Sequence, residues 1–523
     1  MSHEKPTSTG FSRRQVLATL GAGIGASALN LNWIVSAHAQ EASTITYAIH
    51  LAPTGLFFDP GNTPGTGAPL LIQFALHDGL IRPLRDTNTG LSLAEDMTED
   101  EDGLGYTFKL RKGLTFQNGD PLTAEDVVFS FDRYKGANNS VIRSFVEKAE
   151  AVDEHTVHYV LNKPWPDFRA MFGTAASGIS WVVPKKYIET VGEEGFLAKP
   201  VGAGPYKITS FTPGTELVME AFEGYWRKKP AVDKLIFRVI PDASTRLAAV
   251  RNGEVDVAYA VQGDLVKVAQ ADEKLRVEVA HIPVANIIQF ASMYDEGSPF
   301  ADERVRRAVS MAIDREGINE AAYAGLGTVG TSIIPHVMDY YLPTPEIPYD
   351  PDGAMALLAE AGFPDGFDAG ELHASADEIL APYVQANLEA IGIKVEMRLT
   401  ERAAFLPAVM QKQLKGLVLA GSGAPGNAAL RLQQFVVSSG SMSYLKDADL
   451  DARIQAQAVE RDEEKRKAEL NAIQQDIFDR SLFVSIIEHP FPVVLGPRID
   501  YGGVNGIPGN PYTAPYEDLT LKA

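Results

Sequence analysis

The chain has 523 residues, of which 45% are hydrophobic, 9% aromatic and 22% charged, so it is neither a disordered nor a fibrous polypeptide and is too long for one core. Its 68 acidic and 47 basic residues give a net charge of −21, which argues against a nucleic-acid binder, since that function needs a basic face. It has no cysteine, which excludes disulfides, thiolate metal sites, thiol catalysis and a lipid-modified N-terminal cysteine.

Residues 1–39 read as a targeting segment. Arg13 and Arg14 directly precede a weakly apolar run over residues 16–29. Ala37-His38-Ala39 then offers small residues to a signal peptidase, so cleavage after Ala39 is expected. The run is rich in Gly and Ala and too short to span a bilayer. Paired arginines with mild hydrophobicity suggest twin-arginine export, with a general secretory signal as the alternative. Either route places the mature protein in the periplasm. No later stretch reaches the roughly 18 apolar residues of a membrane span, so a soluble mature chain is expected.

Beyond this segment the elements alternate between strand and helix. Tyr106-Thr107-Phe108-Lys109-Leu110 and Thr156-Val157-His158-Tyr159-Val160-Leu161 alternate as half-buried strands, and Thr123 with Asp126 forms a capping box. Leu235-Ile236-Phe237-Arg238-Val239-Ile240 reads as a buried strand, Asp242 as the cap of a helix stopped by Asn252-Gly253, and Val255-Asp256-Val257-Ala258 as the next strand. Asp302 caps a helix with Val305, Ala308, Val309, Ala312 and Ile313 on one face. Leu380, Val384, Leu388 and Ile391 form another stripe, ended by Gly392 and followed by an alternating strand over residues 393–399. One long helix is expected over residues 449–480. Strand–helix alternation in two halves predicts two α/β lobes.

An ordered series of motifs carries a resemblance. It runs through Tyr106-Thr107-Phe108-Lys109-Leu110-Arg111-Lys112-Gly113-Leu114-Thr115-Phe116, Asn118-Gly119-Asp120-Pro121-Leu122-Thr123-Ala124-Glu125-Asp126-Val127-Val128-Phe129-Ser130 and Val201-Gly202-Ala203-Gly204-Pro205-Tyr206. Tyr225-Trp226, Pro241-Asp242-Ala243-Ser244-Thr245-Arg246-Leu247, Gly253-Glu254-Val255-Asp256 and Pro299-Phe300-Ala301-Asp302-Glu303-Arg304-Val305-Arg306-Arg307-Ala308 continue it, with Ala312-Ile313-Asp314-Arg315 and Tyr349-Asp350-Pro351 at its end. The chain thereby resembles the extracellular solute-binding proteins of family 5, which serve peptide, oligopeptide and nickel ABC importers. Most of these motifs describe a fold: Asn118-Gly119 suits a turn with positive φ, Gly202 and Gly204 a tight crossover, and Arg304, Arg306 and Asp314 surface or inter-helix ion pairs.

The resemblance implies an α/β, two-lobed periplasmic-binding-protein-like fold (type II, large cluster, with an extra subdomain) and a hinge cleft between the lobes. Residues 40–75, 201–285 and 495–523 would form lobe I, 76–200 its inserted subdomain and 286–494 lobe II. It also implies a small-molecule or peptide ligand and, as partner, an ABC permease of two membrane subunits with two ATPases. A monomer is expected, without cofactor, metal, catalytic residues or nucleic acid.

Four places are implied to meet the ligand. The segment Thr54-Gly55-Leu56-Phe57 would pair with an extended ligand backbone, as in strand addition. Peptide-binding relatives carry an acidic residue for the ligand's ammonium in the stretch that here reads Leu419-Ala420-Gly421-Ser422-Gly423-Ala424-Pro425-Gly426-Asn427; this chain has none there. A buried ammonium without a carboxylate is costly, so Gly421, Ser422 and Gly423 suit an uncharged polar ligand or an anion instead, unless the ammonium's partner lies elsewhere. Glu488 offers a replacement cationic anchor and His489 a donor to an oxygen-rich ligand, while Asn286 and Gln289 offer amides where the chain enters lobe II. Trp181, Trp226 and Tyr444 are candidate stacking surfaces, although Tyr225-Trp226 suits packing. Peptides are the first expectation for cargo, with oligosaccharides, opine or sugar-phosphate conjugates and metal chelates as alternatives. A secreted enzyme or a ligand-presenting sensor for a chemoreceptor stands as the rival class; no nucleophile elbow, zincin or phosphate-loop motif supports an enzyme.

Overall fold

A computed structural model describes residues 43–63, 68–85, 87–173, 177–423, 426–507 and 509–522. The expected targeting segment, its arginine pair and its cleavage site lie outside them, as do Ala424 and Pro425 of the glycine-rich stretch. The chain divides into Met1–Thr44 and Ile45–Ala523, and the second unit holds both lobes and all of their cores.

Among the described residues eleven strands join one sheet. Their order is Ile393–Thr400, Phe367–Ser375, Leu417–Gly421, Arg276–Phe290, Phe483–Leu495, Val257–Tyr259, Thr44–Ile49, Lys234–Val239, Glu216–Ala221 and Tyr206–Thr212, with the short Thr328–Val329 beside Phe483–Leu495. Thr44–Ile49 runs parallel to Val257–Tyr259, and Phe367–Ser375 runs parallel to both Ile393–Thr400 and Leu417–Gly421. The strand–helix–strand unit over residues 234–259 is present, with Thr44–Ile49 between its two strands and Asp242 accepting from the Thr245 amide at 2.7 Å.

Two lobes arise from how apolar residues collect along this sheet. One core gathers residues between 285 and 487; another gathers residues 45–76, 206–260, Ala280 and 491–519. The strand Phe483–Leu495 serves both, since Ile487 packs in the first core and Phe491 and Val493 in the second. A third core spans residues 80–203, over the antiparallel sheet Ala94–Glu99, Gly105–Leu110, Thr156–Leu161, Val146–Asp153. Phe168 fastens it, stacking on Tyr106 at 4.2 Å and Phe172 at 4.1 Å between ring centroids. Thr123 and Asp126 make both halves of the capping box.

Close backbone approach explains the Gly202-Gly204 motif: a Cβ on Gly202 would lie 1.9 Å from the Leu76 carbonyl oxygen, and the next strand enters the main sheet at Tyr206. Gly119 takes φ +87°, the turn geometry its neighbour Asn118 announced. Arg304 pairs with Asp302 at 2.6 Å. Arg306 instead donates to the carbonyls of Phe300, Ala301 and Arg480, and Asp314 caps the helix Arg315–Tyr323 through the Gly317 amide. Those two motif residues satisfy orphan backbone groups rather than opposite charges. The helix expected over 449–480 is two, Ala448–Gln457 and Glu463–Asp479, because Asp462 caps a new start on the Lys465 amide.

A buried charge cluster ties the C-terminal segment to the root of the third core. Glu517, fully buried, accepts from Arg82 and Arg227, while Tyr225 and the Trp226 indole both donate to Asp78 Oδ2, at 2.9 and 2.8 Å. Burial works to raise the Glu517 carboxyl, but the Arg82 and Arg227 guanidiniums outweigh it and hold it below its usual range. Replacing Glu517 with Ala leaves buried Arg82 only the longer contact with Asp78, at 3.7 Å, and should cost about 3 kcal/mol, read as a lower denaturant midpoint.

Candidate functional site

The two lobes meet where the strands Arg276–Phe290 and Phe483–Leu495 pair antiparallel. Their register is continuous from Arg276↔Leu495 to His281↔Pro490, shifts before Ala285↔Glu488 and shifts again before Ile287↔Ser485. Pro283 falls in the unpaired stretch and Pro490 at its edge, and neither has an N–H to give the ladder there. Polar side chains gather at this interruption.

Arg431 is the first of them. Its guanidinium, fully buried, donates to the Pro283 carbonyl at 2.6 Å, to Ser422 Oγ at 2.6 Å and to the Ile333 carbonyl at 3.3 Å. It thus satisfies the carbonyl that the broken ladder leaves over and holds the glycine-rich stretch against the crossing. Burial lowers its pKa to about 9, with the Glu488 carboxylate working the other way. Glu488 is 4% exposed; Oε1 accepts from the His336 amide at 3.1 Å and Oε2 from the His336 ring Nδ1. Burial raises the Glu488 carboxyl, against the hydrogen bonds and charge of His336 and the charge of Arg431. His281 completes the group, its ring edge-on to His336 at 5.1 Å, its own pKa lowered by burial and by His336. Glu488, the expected anchor for a ligand cation, therefore has both oxygens already engaged by this chain.

A second constellation lies at the carboxyl ends of the parallel strands, where open α/β sheets carry ligands. Asn286, fully buried, donates to Glu378 Oε2 at 2.8 Å, and Tyr323 donates to Asn286 Oδ1 at 3.4 Å. Glu378 stands three residues beyond Phe367–Ser375, and burial raises its carboxyl. His489 lies beside Tyr323 at 5.7 Å between rings; its buried Nε2 has no partner among the described residues, and burial, then Arg402, lowers its pKa to about 4. The remaining expected residues divide. Ser422 is fully buried and spent on Arg431 and the Ala285 amide, Gly421 pairs in register with Asn286, and Gly423 is exposed beside Val284. Gln289 is buried with neither amide atom partnered among the described residues.

The N-terminal segment departs from expectation. Gly55–Phe58 is a single 3-10 turn, not an extended strand; Thr54 and Leu56 are exposed, Phe57 is half-buried and Phe58 is in the core, edge-on to Phe211 at 5.0 Å. The Thr63 hydroxyl holds the turn through the Leu56 carbonyl, and only Thr54 keeps extended dihedrals. Nor are the candidate stacking rings free: Trp181 packs edge-on to Phe74, Trp226 is tied to Asp78, and Tyr444 packs against the core of residues 285–487 under Lys412.

Ion pairs join the body around the core of residues 285–487 to its neighbours on both flanks. Asp167, 1% exposed, accepts from Arg466 and Asn427, each at 2.6 Å, and Arg461 reaches Glu99 at 3.1 Å. On the other flank Lys267 meets Glu320 at 3.0 Å. A crevice of about 970 Å³, lined by Tyr106, Arg169, His336, Tyr340, Asn427 and Arg466 among others, opens beside the first set.

Residues 90–443 match the model of the bacterial extracellular solute-binding proteins, family 5. The chain belongs to this family. Family 5 proteins are binding components of transport systems and not enzymes. The chain is 27% identical over 443 residues to the dipeptide-binding protein of Escherichia coli K12, covering 76% of this chain and 79% of that one. It is 31% identical over 353 residues to the glutathione-binding protein GsiB of Salmonella choleraesuis, covering 65% and 67%. The ABC transporter substrate-binding protein CtaP of Listeria monocytogenes superposes with a TM-score of 0.77 at 25% identity, covering 91% of this chain and 99% of that one. No helix among the described residues is long and apolar enough to cross a membrane.

Arg431, His336, Tyr323 and Glu378 escaped the sequence reading. Arg431 could have been singled out as the one charge in the apolar start Ala428-Ala429-Leu430-Arg431-Leu432, and Glu378 by its place just past a strand's end.

Burial holds His50, His77 and His489 each near pKa 4, against 6.5 when exposed. Between pH 6.5 and 4 the unfolded chain therefore binds protons the folded one refuses, and these rings make stability fall as pH drops through that window. The raised carboxyls of Glu378 and Glu488 act with the opposite sign, so a single-residue comparison isolates one ring. His489→Gln should flatten the slope of unfolding free energy against pH by about one proton, measured by urea titration.

Proposed function

We propose that the chain is the exported binding component of an ABC importer that captures a small amphiphilic solute, peptide or peptide-like, by closing two lobes on it. Residues 40–75, 201–285 and 495–523 serve as one lobe with 76–200 inserted, and 286–494 as the other. The crossing of Arg276–Phe290 and Phe483–Leu495 acts as the hinge. Export uses the paired arginines and cleavage after Ala39, and the closed monomer is handed to a permease of two membrane subunits with two ATPases.

One observation supports this reading: Asn286, Tyr323, Glu378 and the unpartnered Nε2 of His489 gather at the carboxyl ends of the lobe II strands, next to a break in the strand pair. A broken ladder bends more easily than a complete one, and a ligand bound only when the lobes meet draws the equilibrium toward closure. The ion pairs Arg466–Asp167, Arg461–Glu99 and Lys267–Glu320 belong to that closed arrangement. The candidate ligand contacts are Asn286, His489 and Gly423, with the turn Thr54, Gly55, Leu56, Phe57 offered from the other lobe; Gly421, Ser422, Glu488 and Gln289 stand behind them as support.

Native mass spectrometry of gently purified protein should reveal a small molecule bound one to one and released unchanged on denaturation. Recovery of a chemically converted compound would contradict capture. The identified solute at a hundred times its Kd should stabilise the fold by about 2.7 kcal/mol, visible as a higher Tm. Asp167→Asn, which breaks the buried pair with Arg466, should weaken binding of the solute about tenfold by disfavouring closure, measured by calorimetry.

A further inference from the structure

The helix Ala428–Phe435 meets three parts of the molecule within its first turn. Asn427, its cap, is 2% exposed and uses both ends of its amide. Oδ1 accepts from the Leu430 amide at 3.1 Å, and Nδ2 donates to Asp167 at 2.6 Å. Leu430 is the one buried member of the third core, among the described residues, that comes from outside residues 80–203. Arg431, next in the chain, reaches instead the Pro283 carbonyl and Ser422 Oγ, where the register of the central strand pair shifts. Ala428, Ala429, Leu432 and Phe435 pack in the core of residues 285–487.

Capping alone does not account for this first turn. A cap needs only the Asn427 oxygen, and Asp or Ser would serve as well. The Asn427 Nδ2 is directed at a carboxylate of another body, where it shares Asp167 Oδ1 with Arg466. Asp167 Oδ2 is buried and has no partner among the described residues, so the hold on this carboxylate comes from that one junction. Leu430 repeats the pattern in apolar form, a side chain of one body seated in the core of another. Two turns of hydrogen-bonded helix move as one rigid piece, so a shift at Asn427 and Leu430 carries Arg431 with it. Arg431 is fully buried, where losing an acceptor is costly, and the strand pair keeps a fixed relation to the helix through it.

We propose that Asn427 and Leu430 are positioning residues through which docking of the body around the third core sets Arg431 and, with it, the central strand pair at Ala285 and Ser422. The inference rests on the reading of that strand pair as the hinge between closing lobes. It gives the insertion over residues 76–200 a task of its own: it fastens the hinge in the closed form, from the flank.

The test follows amide hydrogen exchange by mass spectrometry on the whole chain with no solute added. The reporters are the amides of Ala285 and Ser422, which donate to Ser422 Oγ at 3.3 Å and to the Ala285 carbonyl at 2.7 Å, and the strand Lys234–Val239 is the control. Asn427→Asp keeps a helix cap but sets a second carboxylate against Asp167. It should speed exchange at the reporters by about tenfold or more and leave the control within about threefold of native. Exchanging the pair, Asn427→Asp with Asp167→Asn, puts a donor opposite an acceptor again and keeps a carboxylate near Arg466. That double variant should return the reporters to within about threefold of native. Where Asn427→Asp does not fold, Leu430→Ala loosens the same junction without adding charge and is read by the same reporters and control. The proposal is overturned if exchange rises only in residues 165–173 and 426–432 while the reporters hold, if the control rises as much as the reporters, or if the exchanged pair restores nothing. Because no solute enters the experiment, these outcomes stand apart from failure to find a captured molecule, which would count against solute capture alone.

Discussion

The pairing of Arg276–Phe290 with Phe483–Leu495 is the constraint on which the rest of the molecule depends. These two strands are the longest in the sheet and are shared by both principal cores, so the sheet order on either side is set by how each lobe adds strands to them. Two prolines interrupt the pairing at the lobe boundary. A central strand ordinarily excludes proline because a ladder hydrogen bond is lost. Here that loss falls where bending is required, and the Pro283 carbonyl is recovered by Arg431 from lobe II.

The charges obey the same constraint. Because the crossing is buried, a guanidinium placed there needs a nearby carboxylate, and Arg431 has Glu488 within its field, itself held by His336. That arrangement satisfies one carboxylate internally and leaves Glu378 hydrogen-bonded by neutral donors alone. The outer ion pairs, Arg466–Asp167 buried and Lys267–Glu320 exposed, lie at the rims, where losing one partner of the exposed pair costs little and of the buried one much.

Much of the fold was legible because it rests on local signals. The caps at Thr123, Asp242 and Asp302, the alternation of residues 106–110 and the stripe from Leu380 to Gly392 each act within a few residues, and each appears where sequence places it. The helix expected over 449–480 failed at one such signal, the cap at Asp462, hidden in a run of charged residues. The site was less legible. Glu488 and His489 are adjacent in sequence but face different partners, since successive strand residues point to opposite faces. Which carboxylate is neutralised depends on His336 and Arg431, 152 and 57 residues from Glu488, a relation no local pattern carries. The turn at Gly55–Phe58 likewise reflects Phe58 seeking the lobe I core rather than any preference for extended backbone.

The absence of native cysteine makes the central claim directly measurable, since two introduced thiols are the only ones to label. Val152, 64% exposed beside the third core, and Met410, 53% exposed on lobe II, serve as sites for spin labels after substitution by cysteine. Pulsed-EPR distances should be long and broad in solute-free protein and collapse to one shorter, narrow peak on saturation with the solute found by mass spectrometry. An identical distance distribution with and without that solute would contradict a molecule built around a bending strand pair.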